Sequence, residues 1–76
     1  MSRYFFHVVD DRSQPDLDGT ELCSLDEARS QAIHSAASII TQKSPECLSK
    51  APWRMIVADE SGDTLYCLRF EAKDYR

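Results

Sequence analysis

Only one stretch of this chain has a helical period, while the strand-like stretches around it are apolar on both of their faces. Leu25, Ala28, Ala32, Ile33, Ala36, Ile39 and Ile40 fall on one stripe at about 100° per residue, with Glu27, Ser30, His34, Ser38 and Thr41 opposite. Ser24-Leu25-Asp26-Glu27 opens this segment as a capping box. In that arrangement the Ser24 hydroxyl accepts from the Glu27 amide, and the Glu27 side chain reaches back to the Ser24 amide. A helix is predicted from Leu25 to Gln42, stopped at Ser44-Pro45 because proline disfavours helical geometry in the residue before it. One helix shields one side of a small sheet, so a second apolar face calls for its own explanation.

The strands follow from composition and alternation. Arg3 to Val9 is rich in aromatic and β-branched residues, which suit a pleated surface. Asp10 to Gly19 reads as an acidic loop, and Thr20 to Cys23 as a short strand returning beside the first. Pro45 to Pro52 is a connecting loop. Trp53 to Asp59 and Thr64 to Phe70 are two further strands, joined by a hairpin loop in which Gly62 supplies a positive φ. Glu71 to Arg76 is expected as a frayed tail. The 76 residues allow one domain, 1–76. The fold class is α+β: a small antiparallel sheet of three to four strands packed on one helix, in the order β-(β)-α-β-β.

Alternation at period two sorts the strand residues. Tyr4, Phe6, Val8, Trp53, Met55, Val57, Tyr66, Leu68 and Phe70 share faces free of Arg and His, and are expected to meet the helix stripe, since unpaired buried charge is costly. The other face carries Phe5, Val9, Ile56, Ala58, Leu65 and Cys67 beside Arg54 and Arg69. A solvated antiparallel sheet is mostly polar on its outer side, and monomers seldom expose apolar patches beyond a few hundred Å². The plain alternative is that scattered exposed apolar residues are common and need no cause. The patch argument favours a non-catalytic module that associates through Phe5, Val9, Ile56, Leu65 and Cys67, with Arg54 and Arg69 pairing with acids at the rim. The partner is expected to be a second copy or another protein.

Charge narrows the partners further. The formal net charge is −4 and the basic residues are dispersed, which suits neither nucleic-acid phosphates nor an anionic membrane surface. Base stacking by Tyr4, Phe5, Phe6, Trp53 and Tyr66 is disfavoured because most of them alternate onto the core side. Met1 to Val9 is too short and too interrupted for a secretory segment, and Cys23, Cys47 and Cys67 form no C-x-x-C pair. A cytoplasmic chain with reduced thiols is expected.

The chemical candidates each meet a simpler reading. Cys23, just before the helix N-cap, is the candidate reactive thiol, because helix amides and the dipole favour a thiolate there. With no resolving Cys nearby in sequence and no His or acid placed by a motif, a small hydrophobe closing the end of a strand is the preferred reading. His7, Cys23, His34, Cys47 and Cys67 match no zinc spacing, so no metal is expected. The aspartates before Gly19 fail as a calcium loop, because Leu25 falls where the bidentate Glu belongs. Asp26 and Glu27 are helix-start carboxylates rather than an acid–base pair. With two glycines there is no phosphate cradle and no nucleotide fingerprint, and no cofactor is expected.

The R-Y-F-F-H-V start, the D-G-T-E-L segment, the S-L-D-E-A-R helix start and the W-R-M-I-V-A-D-E-S-G-D-T-L-Y hairpin together resemble a family of small uncharacterised bacterial proteins, a domain of unknown function. The resemblance covers residues 3 to 70 and rests on strand, cap and turn motifs. It implies a bacterial origin and transfers no functional residue. Thr20 to Ala32 is also similar to the antitoxin partners of small RNA-cleaving toxins, which would imply masking of a partner protein. A thiol-based or small-molecule function at Cys23 is the other alternative.

Overall fold

The computed structural model describes residues 2–10, 12–43, 51–73 and 75. One helix packs on a five-stranded antiparallel sheet. The elements are β1 (Ser2–Val9), β2 (Ser13–Gln14), β3 (Thr20–Leu22), α1 (Leu25–Ile40), β4 (Trp53–Ala58) and β5 (Thr64–Phe70). The α+β class is as read from sequence, with one correction: Asp10 to Gly19 is not all loop. A tight turn at Asp10, whose amide donates to the Arg12 carbonyl at 3.0 Å, starts a two-residue strand, β2.

The order across the sheet is β2-β1-β4-β5, with β3 also pairing with β1. Both short strands use the same edge of β1. Ser2 to Tyr4 pair with β3, while Val8 and Val9 pair with Gln14 and Ser13. On its other edge β1 aligns Phe5 with Ala58 and Val9 with Arg54. The β4–β5 ladder runs from Trp53 opposite Phe70 to Val57 opposite Tyr66, then shifts so that Ala58 faces Thr64. Leu65 is thus the extra residue of a β-bulge.

Ser24 caps α1 as predicted, its hydroxyl accepting from the Glu27 amide at 3.2 Å. The reciprocal bond is displaced by one residue: Glu27 Oε1 accepts from the Cys23 amide, not from Ser24. The helix ends at Ile40, and single turns carry the chain to Lys43. The expected stop at Ser44-Pro45, most of the loop to Pro52, and Cys47 lie outside the described residues.

Ala28, Ala32 and Ala36 are each 0% exposed, so their small side chains let the helix sit close over β4, where Trp53, Met55 and Val57 are also buried. Tyr4 completes this core, and Phe6, Val8, Leu22, Leu25, Ile39, Ile40, Tyr66, Leu68 and Phe70 pack around it half-buried. Ile33 departs from the predicted stripe and is 51% exposed. At about 100° per residue it lies roughly 100° from the middle of the alanine row, beyond the width that one sheet face covers. The Arg29 guanidinium lies 5.6 Å from the Tyr66 ring centroid, a cation–π contact between α1 and β5.

Candidate protein-interaction face

The side of the sheet turned away from α1 is built from three cross-strand rows. Val9, Arg54 and Arg69 form the first, His7, Ile56 and Cys67 the second, and Phe5, Ala58 and Thr64 the third. The ladder therefore brings together Val9, Ile56, Cys67, Arg54 and Arg69 on one surface, as alternation predicts. Arg54, Leu65, Cys67 and Arg69 are exposed, while Val9 and Ile56 are half-buried.

One residue expected to be open on this face is buried, and a second is half-covered. Ala58 is 3% exposed, a short side chain set between the larger Phe5 and Thr64. Phe5 is half-covered by the chain's own Pro15–Gly19 excursion. Gly19 lies so close that a Cβ there would come within 2.9 Å of Phe5 Cε2 and 2.8 Å of Arg3 Cγ. The open apolar surface is thereby narrowed to the β4–β5 half.

Asp16 holds that excursion in place. Its Oδ2 accepts from the Phe6 amide at 3.2 Å, and its Oδ1 accepts from the amides of Asp18 and Gly19 at 3.2 and 3.1 Å. The Asp16 amide in turn donates to His7 Nδ1 at 3.0 Å, which fixes the neutral ring with its proton on Nε2. Burial by itself pushes the Asp16 carboxyl up. The amides of Gly19, Phe6 and Asp18, with a smaller electrostatic contribution from His7, outweigh it and hold the group below its ordinary value. Arg3 adds a further tie, from Nη1 to the Asp18 carbonyl at 2.8 Å. From sequence this stretch is expected to be a solvated acidic loop. Asp-x-Asp-Gly does signal a local side-chain turn, but the long-range partners Phe6 and His7 leave no mark in the sequence.

Charge is sorted along the β4–β5 ribbon. Arg54 and Arg69 face each other directly at one end, and among the described residues only Arg69 has a nearby acid, Glu71 at 3.6 Å. At the other end lies the hairpin turn, where Asp59 Oδ1 accepts from the amides of Ser61 and Asp63 at 2.9 and 3.0 Å. Glu60 and Asp63 in that turn carry carboxylates with no cation beside them among the described residues.

Cys23 is exposed, one residue before the N-cap, and its amide is taken by the Glu27 carboxylate. Among the described residues no group of three His, Cys, Asp or Glu side chains is placed to hold a metal ion. No described helix is long and apolar enough to cross a membrane.

The family model for a domain of unknown function, DUF6894, matches residues 3–71, and the chain belongs to that family. No curated protein and no solved structure matches the chain.

Proposed function

We propose that the protein is a non-catalytic association module that pairs with a second copy of itself through the outer face of its sheet. The observation that carries this is the self-complementary order of the β4–β5 ribbon. Two facing cations, Arg54 and the Glu71-paired Arg69, stand at one end, apolar Ile56, Cys67 and Leu65 lie in the middle, and the acids Glu60 and Asp63 stand at the turn. Arg54 and Asp59 are five residues apart, about 17 Å along the strand. A two-fold axis lying between two such faces, perpendicular to the strands, sets each arginine end over the other copy's acidic turn. The apolar middles then meet at the roughly 10 Å spacing of packed sheets. Apolar burial at about 25 cal/mol per Å² drives the contact against the cost of association. Opposite charges fix its register. The reading takes the protein to work in the bacterial cytoplasm, consistent with Cys23 and Cys67 being free and exposed thiols. It invokes neither nucleic acid nor membrane, in keeping with the net charge of −4.

Light scattering tests it. Ile56→Asp is expected to lower the oligomeric mass while circular dichroism stays helical. Arg54→Glu with Arg69→Glu is expected to weaken the pair, and adding Glu60→Arg with Asp63→Arg to restore it. A wild type that is monomeric at high micromolar concentration, or a charge reversal without rescue, overturns the reading.

A further inference from the structure

The sheet is guarded along one edge and, among the described residues, bare along the other. On β1, β3 pairs with Ser2 to Tyr4, β2 pairs with Val8 and Val9, and in the gap between them the Asp16 carboxylate takes the Phe6 amide. The other edge is β5, and among the described residues no strand pairs with its outer side. Exposed edges are normally blunted by proline, lysine, inward charge or bulges. Tyr66 to Phe70 has no proline, lysine or acid, its one charge is the exposed Arg69, and the bulge at Leu65 precedes it. The helix-side core also stops short at this edge. Trp53, Met55 and Val57 on β4 are at most 2% exposed, whereas Tyr66, Leu68 and Phe70 on β5 are only half-buried.

We infer that Tyr66 to Phe70 pairs antiparallel with the same segment of a second copy, about a two-fold axis at Leu68, so that the two sheets become one. Main-chain hydrogen bonds supply the contact, as in β-strand addition, and the side chains choose the register. With the axis at Leu68, Leu68 meets its own copy, and Tyr66 meets Phe70 of the partner subunit on each side of it. These pairs continue the half-covered strip over the boundary on the helix side. Arg69 then lies opposite Cys67 of the partner subunit. Moving the axis to Arg69 sets guanidinium against guanidinium, and moving it to Cys67 draws the bulged Leu65 into the ladder. Leu68 is the centre that avoids both. This pairing does not rest on the outer-face contact. Its axis runs normal to the sheet whereas the other lies between sheets, so the two contacts use different surfaces and do not exclude each other.

The test uses the full chain carrying Ile56→Asp, which removes the outer-face contact, and follows residue-resolved amide exchange and sedimentation from tens of micromolar to millimolar protein. Alternate amides within Tyr66–Phe70 are expected to slow by about tenfold or more as concentration rises, with a dimer in sedimentation. Leu68→Lys is expected to abolish both effects with the helix retained. Exchange that is independent of concentration, or a dimer that survives Leu68→Lys, overturns the inference. Should Leu68→Lys fail to fold, the concentration dependence in the parent chain decides alone. The two readings fail separately. Loss of all association in Ile56→Asp sinks the edge and spares the face, whereas wild-type mass with slowed β5 amides sinks the face and spares the edge.

Discussion

The Asp16 carboxylate stands in for a missing strand residue opposite Phe6: its Oδ2 accepts the Phe6 amide at 3.2 Å in the gap between β3 and β2. The same carboxylate takes the amides of Asp18 and Gly19, so one side chain both fills the gap in the β1 edge and folds the excursion onto Phe5.

This makes stability pH-dependent with a definite sign. Despite the upward push of burial, the amides hold the Asp16 carboxyl below its ordinary value. Above the ordinary aspartate range, near about pH 4, the folded and unfolded chains both carry the charge and its contribution is complete. As pH falls through that range the unfolded chain takes up a proton first. The contribution shrinks until pH has passed the lowered folded value. Asp16→Asn is expected to cost about 1–2 kcal/mol at neutral pH, the scale of hydrogen bonds to a charged group. Urea unfolding of both proteins across acidic pH checks it: the gap between them should close as the solution is acidified. A gap that stays constant would assign the loss to something other than the charge.

The two glycines separate conformational cost from crowding. Gly19 has φ 75° and Gly62 φ 89°, both in the left-handed region that disfavours a Cβ. A Cβ at Gly62 meets nothing within 4 Å, whereas one at Gly19 would run into the Phe5 ring and the Arg3 stem. Gly62→Ala is therefore expected to cost about 1 kcal/mol, from backbone strain alone. Gly19→Ala should cost at least about 1 kcal/mol more, because the Phe5 ring must move or the excursion must lift. Denaturant midpoints with unchanged slopes check the ranking. Equal losses would mean that the excursion is not seated on Phe5.

What the sequence revealed, and what it hid, divides by range. Local signals were legible: the Ser24 cap, the alternation that puts Trp53, Met55 and Val57 inside, and Gly62 in the hairpin turn. The outer-face rows of Val9 with Arg54 and Ile56 with Cys67 were legible for the same reason, since period two assigns a face without knowledge of strand order. Long-range bonds left no pattern. β2 is two residues of Ser and Gln, with no strand composition, and it exists because Val8 and Val9 offer an open ladder. The His7–Asp16 bond joins residues whose types predict nothing about each other. Ile33 shows the limit of periodicity, which ranks helix positions by angle but does not say how wide the opposing surface is.

That width is open to a direct experiment. Ala32 is 0% exposed at the centre of the alanine row, and the sheet residues beneath it include the buried Met55 and Val57. Ile33, the next residue, is 51% exposed. If helix-to-sheet distance is set by the alanines, added bulk at position 32 has nowhere to go. Ala32→Leu is expected to cost about 1–3 kcal/mol through overpacking, despite leucine's good helix propensity and greater apolar area. Ile33→Ala changes as many side-chain carbons, by removal, yet is expected to change stability by no more than about 0.5 kcal/mol, since half of its side chain is already in water and alanine favours the helix. Thermal unfolding of the two variants beside the wild type checks the contrast. A stabilising Ala32→Leu would mean that a void lies between α1 and β4. A costly Ile33→Ala would mean that Ile33 is covered in solution, which would point to a partner on the helix rather than on the sheet.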